Sequence, residues 1–225
     1  GQPQPVLAES WELPDNLTYT FHLRQGVTFH NGRVFTAEDV KHTIDRLQAE
    51  ATDSPWAGQF APIEEIEIVD SRTITFHLNA PFGPFLATLS AGYASIVPAD
   101  GSIDLQETMI GTGPFSLESW TPDVETVMVA NPAYWQESVP LLSALRWRIL
   151  PDVTTRLEAL DEGNIHLTAL ADPLSAAEAQ DSDGVNVLQQ ATTDYFLLGF
   201  NCATPPFDNT DVRRALSLAI DRPTT

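Results

Sequence analysis

The chain has 225 residues, 43% of them hydrophobic and 9% aromatic, which is enough apolar material for a packed core and too much for wholesale disorder. Thirty-one acidic residues against eleven basic ones give a net charge of −20, which disfavours nucleic acid and anionic membrane surfaces, partners that are held by Lys and Arg. Cys202 is the single cysteine, so no internal disulfide forms, and no apolar run reaches the roughly 18 residues of a membrane helix.

Lys41 is the only lysine, and this acidic, lysine-poor composition fits a salty or extracellular setting and, equally, a GC-rich codon bias. The opening Gly1-Gln-Pro-Gln-Pro5 reads as mid-chain linker, and Asp221 to Thr225 follow directly on a helix. Both ends are therefore expected to be cut points of a longer protein.

In chain order, Thr18 to Arg24 alternates Tyr19, Phe21 and Leu23 with Thr18, Thr20 and His22, the period of a half-buried strand. Gln25-Gly26 and Asn31-Gly32 are turn signals, since Asn-Gly tolerates the positive φ of tight hairpins. Thr36 with Asp39 three residues on approximates a capping box, and Val40, Ile44 and Leu47 then mark one helical face. Arg72 to Asn79 repeats the first strand's pattern through Ile74, Phe76 and Leu78, and the two are expected as neighbours in one mixed sheet. Pro81-Phe-Gly-Pro84 opens a short helix, and Gly111-Thr-Gly-Pro114 is the next strong break.

Beyond that break Thr126–Ala130 and Ala144–Leu150 read as strands, followed by a helix capped by Asp152 and stopped by Gly163. Its Val153, Leu157 and Leu160 share a face. Ile165–Leu170, Val185–Leu188 and Tyr195–Asn201 are further expected strands, with a helix between the first two that places Pro173 at its first position. Strands alternating with helices predict an α/β lobe with some parallel pairing. Val212, Ala215, Leu216 and Ala219 line an amphipathic final helix whose partner surface is expected downstream of Thr225.

Four segments carry a resemblance: Leu7 to Leu47; Gly111-Thr-Gly-Pro-Phe-Ser-Leu-Glu-Ser-Trp120; Asn131-Pro-Ala-Tyr-Trp135 with Ile149-Leu-Pro-Asp152, Arg156 and Gly163-Asn-Ile165; and Leu198-Gly-Phe-Asn201 with Pro205-Pro-Phe-Asp208, Val212 to Leu216 and Ala219-Ile-Asp-Arg222. In this order they resemble the family 5 extracytoplasmic solute-binding proteins of ABC importers, which take up peptides, nickel chelates or sugars. The resemblance implies a mixed α/β, periplasmic-binding-protein-like clamp. Residues 1–12 would edge the first main lobe, 13–110 would form an accessory lobe built on a mixed sheet, and 111–205 most of the first ligand-binding lobe. Residues 206–225 would hold the hinge and first helix of a second lobe that is otherwise missing. It also implies a monomeric binding component, periplasmic or extracellular and lipid-anchored or free, that delivers its solute to permease subunits. No enzyme activity, cofactor or nucleic-acid partner is expected.

The best site lies in Tyr195-Phe-Leu-Leu-Gly-Phe-Asn201, where main-chain groups would pair with an extended ligand by strand addition. Asn201 would orient a polar group there, and Tyr195 and Phe200 would supply apolar surface; the alternative is that all three are core strand. Tyr93 is a second cleft-wall candidate. Trp11, Trp120, Trp135 and Trp147 are expected in lobe cores. His22 and His77 share the polar face of two strands, so a two-histidine site is conceivable. Without further ligands, however, His22, His30, His42, His77 and His166 read as solvent-facing strand residues. Cys202 is expected to be small and partly buried, and a catalytic role for it is the alternative reading. Two other roles stay open, a sensor domain with this fold and a peptide hydrolase.

Overall fold

The computed structural model describes residues 3–101, 103–105, 107–180, 182, 184–190 and 197–220. The chain divides into two compact units, Gly1–Pro151 and Asp152–Thr225. The break at Gly111 falls inside the first unit, at the passage between its two sheets.

The first sheet contains β1 (Ala8–Glu12), β2 (Thr18–Leu23), β3 (Ile63–Asp70) and β4 (Thr73–Leu78) in the order β1-β2-β4-β3. Every pairing in it is antiparallel, so the expected mixed sheet is not what forms. Two hairpins, β1–β2 and β3–β4, are joined through α1 (Ala37–Gln48), and the second hairpin docks with β4 inward beside β2. The register sets Tyr19 opposite Phe76 and Phe21 opposite Ile74, which puts the apolar residues of both strands on one face. Phe21 meets Phe76 edge-on at 5.7 Å, and Phe76 meets Phe85 of α2 (Phe85–Leu89) at 5.5 Å. Val40, Ile44 and Leu47 close over that face as the helical spacing predicts.

Asp39 starts α1 from a fully buried position. Its carboxylate accepts the Thr36 backbone N–H at 2.8 Å and the Ala99 N–H at 2.7 Å, and it pairs with the Arg33 guanidinium. One turn on, the Thr43 hydroxyl accepts the Val97 N–H at 3.0 Å and donates to the Asp39 carbonyl at 2.8 Å. The loop around Pro98 is thereby tied to the helix.

The second sheet is an antiparallel meander of β5 (Phe115–Thr121), β6 (Glu125–Ala130) and β7 (Ala144–Arg148). His30 links it to the first sheet. Its backbone N–H donates to Gly111 O at 2.9 Å, its Nδ1 accepts the Gly111 N–H at 3.3 Å, and its Nε2 lies 3.0 Å from Gly113 O. With Nδ1 accepting, the proton sits on Nε2 and is donated to the Gly113 carbonyl. Arg24 adds a second link by stacking its guanidinium 4.3 Å from the Trp135 ring centroid.

The expected parallel pairing is absent among the described residues, as both sheets are antiparallel and residues 152–220 form no ladder there. Ile165–Leu170, Val185–Leu188 and 197–201 run without strand partners among the described residues, and the first part of the last segment lies outside them. Apart from the half-buried Leu170 their leucines are bare, Leu167 and Leu188 more than four-fifths exposed. Trp11 and Trp135 pack against the core, whereas Trp120 and Trp147, expected there too, are 46% and 68% exposed. The register explains this, because Trp120 pairs with Thr126 and Thr126 with Trp147, which sets both indoles in one row on the uncovered face of the meander.

Among its described residues the second unit contains three helices, α3 (Val153–Asp161), α4 (Pro173–Gln180) and α5 (Thr210–Ala219). Each begins at a polar residue whose side chain accepts a backbone N–H: Asp152 from Thr155, Asp172 from Ser175 and Asn209 from Asp211, each at 2.8 Å. Pro173 takes the first position of α4, and Gly163 turns the chain after α3 at φ 72°. On α5 Val212 is half-buried, while Ala215, Leu216 and Ala219 face outward.

Candidate functional site

The chain leaves α1 at Ala49 through two short 3-10 turns, Glu50–Thr52 and Ala57–Phe60. Between them lie Asp53, in the left-handed region at φ 46°, then Ser54, Pro55 and Trp56. Phe60 drives into the core and is fully buried, which fixes one end of the second turn. Trp56, one turn earlier, is left 45% exposed.

The partner surface comes from a later segment of the chain. After α2 a third 3-10 turn, Gly92–Ala94, sets Tyr93 half-buried against the apolar cluster. Trp56 stacks on it with centroids 4.5 Å apart and planes 11° from parallel, and Phe60 meets the same ring edge-on at 6.1 Å. The three rings form a graded platform: Phe60 buried, Tyr93 half-buried, Trp56 open on its outer side. Such a surface is stiff and loses little conformational freedom on binding. It suits an apolar side chain, a planar group or a cation over the indole face. A cavity of about 340 Å³ lies beside the Gly92 turn, walled by apolar groups such as Trp11, Phe21, Phe35, Leu86 and Leu89.

Tyr93 therefore belongs to this surface, but as the middle layer, with the exposed face supplied by Trp56. Sequence reasoning passed over Trp56. The available signal was a tryptophan outside any apolar period, set among the turn formers Ser54, Pro55 and Gly58. In the second unit Tyr195 lies outside the described residues. Phe200 packs on Phe207 at 5.3 Å, and Asn201 turns its Oδ1 onto the Ala203 N–H at 3.1 Å. The Arg213 guanidinium donates to the Phe207 carbonyl at 2.6 Å and steadies that turn. Cys202 is exposed, contrary to the expectation of partial burial, because its turn presents the thiol outward, 3.6 Å from the Phe200 carbonyl.

The histidines do not converge. His77 pairs with Thr18 and His22 with Thr73, so they stand four positions apart along the β2–β4 ladder, ~13 Å at strand rise. Each instead approaches a glutamate across the sheet, His22 to Glu12 at 3.3 Å and His77 to Glu67 at 3.5 Å. His30 sits in a turn, His42 on α1 and His166 outside any strand, so only His22 and His77 are strand residues.

The resolved electrostatic shifts fall on turn and cap aspartates. Asp15 is held below the ordinary carboxylate range chiefly by the Leu17 N–H, Asp70 by the Arg72 N–H and Asp152 by the Thr155 N–H. For Asp172 the Ser175 side-chain bond comes first and the Ser175 N–H second.

Residues 2–225 match the family described as bacterial extracellular solute-binding proteins, family 5 middle. The chain belongs to this family. Heme-binding protein A of Haemophilus influenzae is 33% identical over 97% of this chain and 45% of the relative. The dipeptide-binding protein of Escherichia coli is 30% identical over 97% and 46%. Among solved structures, NikZ from Campylobacter jejuni in complex with Ni(L-His) superposes with a TM-score of 0.86 at 27% identity, covering 98% of this chain and 45% of that one. A dipeptide binding protein from a Pseudoalteromonas species in complex with Met-Leu gives 0.81 at 27% identity, with 96% and 48% covered.

This family 5 chain thus has the mixed α/β fold of periplasmic binding proteins and spans about half the length of the curated relatives it matches. The relatives named are binding proteins. Among the described residues no helix is long and apolar enough to cross a membrane.

Proposed function

We propose that this chain is part of the substrate-binding component of an ABC-type importer, which captures peptides or a related small solute outside the cytoplasm and hands it to a membrane permease. The observation that carries this reading is the family match along residues 2–225. Relatives over nearly the whole chain are named for dipeptides, haem and glutathione, so a small solute is the shared class. The mechanism is non-covalent: a solute that touches both lobes of a clamp binds the closed form better and shifts the population toward it. No enzymatic step is needed. The protein works as a monomer, lipid-anchored or free.

Residues 13–110 act as the accessory lobe, 111–205 as most of the first ligand-binding lobe, and the last helix begins the second. Within this scheme the outer face of Trp56, backed by Tyr93, contacts the solute. In the second unit, taken by itself, the 195–201 segment is the candidate contact, through its main chain and through Tyr195, Phe200 and Asn201. Residues 197–201 have no ladder partner among the described residues, which suits strand addition.

Saturation-transfer NMR with Met-Leu, glutathione, haem and nickel–histidine tests the reading. Transfer from protein to at least one of the four is expected. Transfer to none would contradict it.

A further inference from the structure

On its N-terminal side Trp56 follows the short Glu50–Thr52 turn and the left-handed Asp53. The backbone reverses at Asp53, and the bonds nearest Trp56, Ala57 N–H to Ser54 O at 3.1 Å and Gln59 N–H to Trp56 O at 2.9 Å, stay within the turn itself. A turn held only by its own bonds would let the indole tilt. Yet the Trp56 plane lies 11° from that of Tyr93.

The restraint comes from the C-terminal side, where three successive carbonyls are each taken by a residue outside the turn. The Gln48 side-chain amide, at the last residue of α1, donates to Phe60 O at 3.0 Å. The Asn79 side-chain amide donates to Ala61 O at 3.3 Å, and the Asn79 backbone N–H donates to Pro62 O at 2.9 Å. Gln48 and Asn79 are both exposed, so their amides add to the hold that the buried Phe60 ring already gives this end of the turn. One belongs to a helix end and the other follows β4, elements that the core already fixes. Together they pin residues 60–62, and with them the base of the turn that carries Trp56.

We infer that Gln48 and Asn79 are positioning residues that hold the Trp56 indole flat on Tyr93 and so set the orientation of the solute-facing platform. The inference rests on the proposal that Trp56 faces the solute, although its structural half stands without it. Neither residue touches a solute; both act through the turn.

The test is fluorine NMR of the 225-residue chain labelled with 5-fluorotryptophan, with the Trp56 line assigned from Trp56→Phe. Gln48→Met keeps the side-chain length and removes the donor, Asn79→Ala removes the other amide, and Gln48→Lys supplies a replacement donor. The Trp56 line is expected to shift and broaden in Gln48→Met and further in Gln48→Met/Asn79→Ala. The other four tryptophan lines should stay in place, and Gln48→Lys should restore the wild-type position. A general loss of packing would move all five lines and lower the melting temperature, so it would count against the inference. An unchanged Trp56 line in the double variant would overturn it. Failure of Trp56→Ala to weaken solute binding would instead sink the solute-facing role while leaving the anchor intact.

Discussion

Asp39 and Ala99 are 60 positions apart in sequence, yet the Asp39 carboxylate accepts the Ala99 backbone N–H at 2.7 Å. That bond ties the N-terminus of α1 to the loop that follows Tyr93 and Ala94. Because the carboxylate is fully buried and also serves Thr36 and Arg33, it is the polar centre of the core beneath the first sheet.

Replacing Asp39 with Ala leaves the Ala99 and Thr36 N–H groups and the Arg33 guanidinium without their shared acceptor. A loss of about 3 kcal/mol is expected, in the range for stranding one side of a buried charged network. Urea unfolding measures it, and a loss under about 0.5 kcal/mol, typical of exposed sites, would show that water or another group takes over.

Phe76 and Trp147 test the assignment of core and surface. Phe76 is fully buried between Phe21 and Phe85, so Phe76→Ala should cost about 3–5 kcal/mol. Trp147 is 68% exposed, and Trp147→Ala should change stability by no more than about 0.5 kcal/mol. Comparable losses from the two variants would place Trp147 against a surface of its own.

These outcomes bear on what was legible in the sequence. The β2 and β4 alternation, the Thr36–Asp39 box, the Asp152 cap and Pro173 at the start of α4 are local patterns, and each was readable. β3 was not: Ile63-Glu-Glu-Ile-Glu-Ile68 breaks strict alternation, since it is an edge strand with most of its residues exposed. The antiparallel docking of β4 beside β2 and the separation of His22 from His77 depend on register between distant segments, which one sequence does not carry. Trp120 and Trp147 share that problem, because apolar type predicts burial only when something lies opposite. The platform was half legible, through Tyr93, while Trp56 gains its meaning from a ring 37 positions away.

Acid should destabilise the chain through its cap and turn aspartates. Asp15, Asp70, Asp152 and Asp172 are all lowered from the ordinary value of 3.8 by N–H or hydroxyl donors. A depressed folded-state value means that the stabilisation is fully present above the unfolded value and is lost as pH falls below it through the folded one. Melting temperature should therefore drop on going from about pH 5 to about pH 3, and less steeply in Asp152→Asn/Asp172→Asn, whose amide oxygens still cap but do not titrate. Equal slopes in the two proteins would remove these caps from the account.

Salt should act in the opposite direction. A net charge of −20 repels itself in the compact state, and raising ionic strength from about 0.1 M to about 1 M shortens the screening length from roughly 10 Å to roughly 3 Å. The melting temperature is expected to rise with NaCl. A fall would mean that surface ion pairs such as Arg24–Glu9 and Lys41–Asp45 outweigh the repulsion.

Calorimetry of the 225-residue chain should give only weak binding, because closure of a clamp draws on two lobes and the chain spans 45–46% of its curated relatives. Nanomolar binding would show that the surfaces present here suffice.

The central claim is that this chain holds a small solute against the open face of Trp56. Its most direct test is the dissociation constant, by NMR titration, of whichever of Met-Leu, glutathione, haem or nickel–histidine binds tightest, compared among the wild type, Trp56→Ala and Trp147→Ala. Loss of one stacked aromatic contact predicts about tenfold weaker binding for Trp56→Ala, with Trp147→Ala unchanged. Equal affinity in all three proteins would contradict the claim.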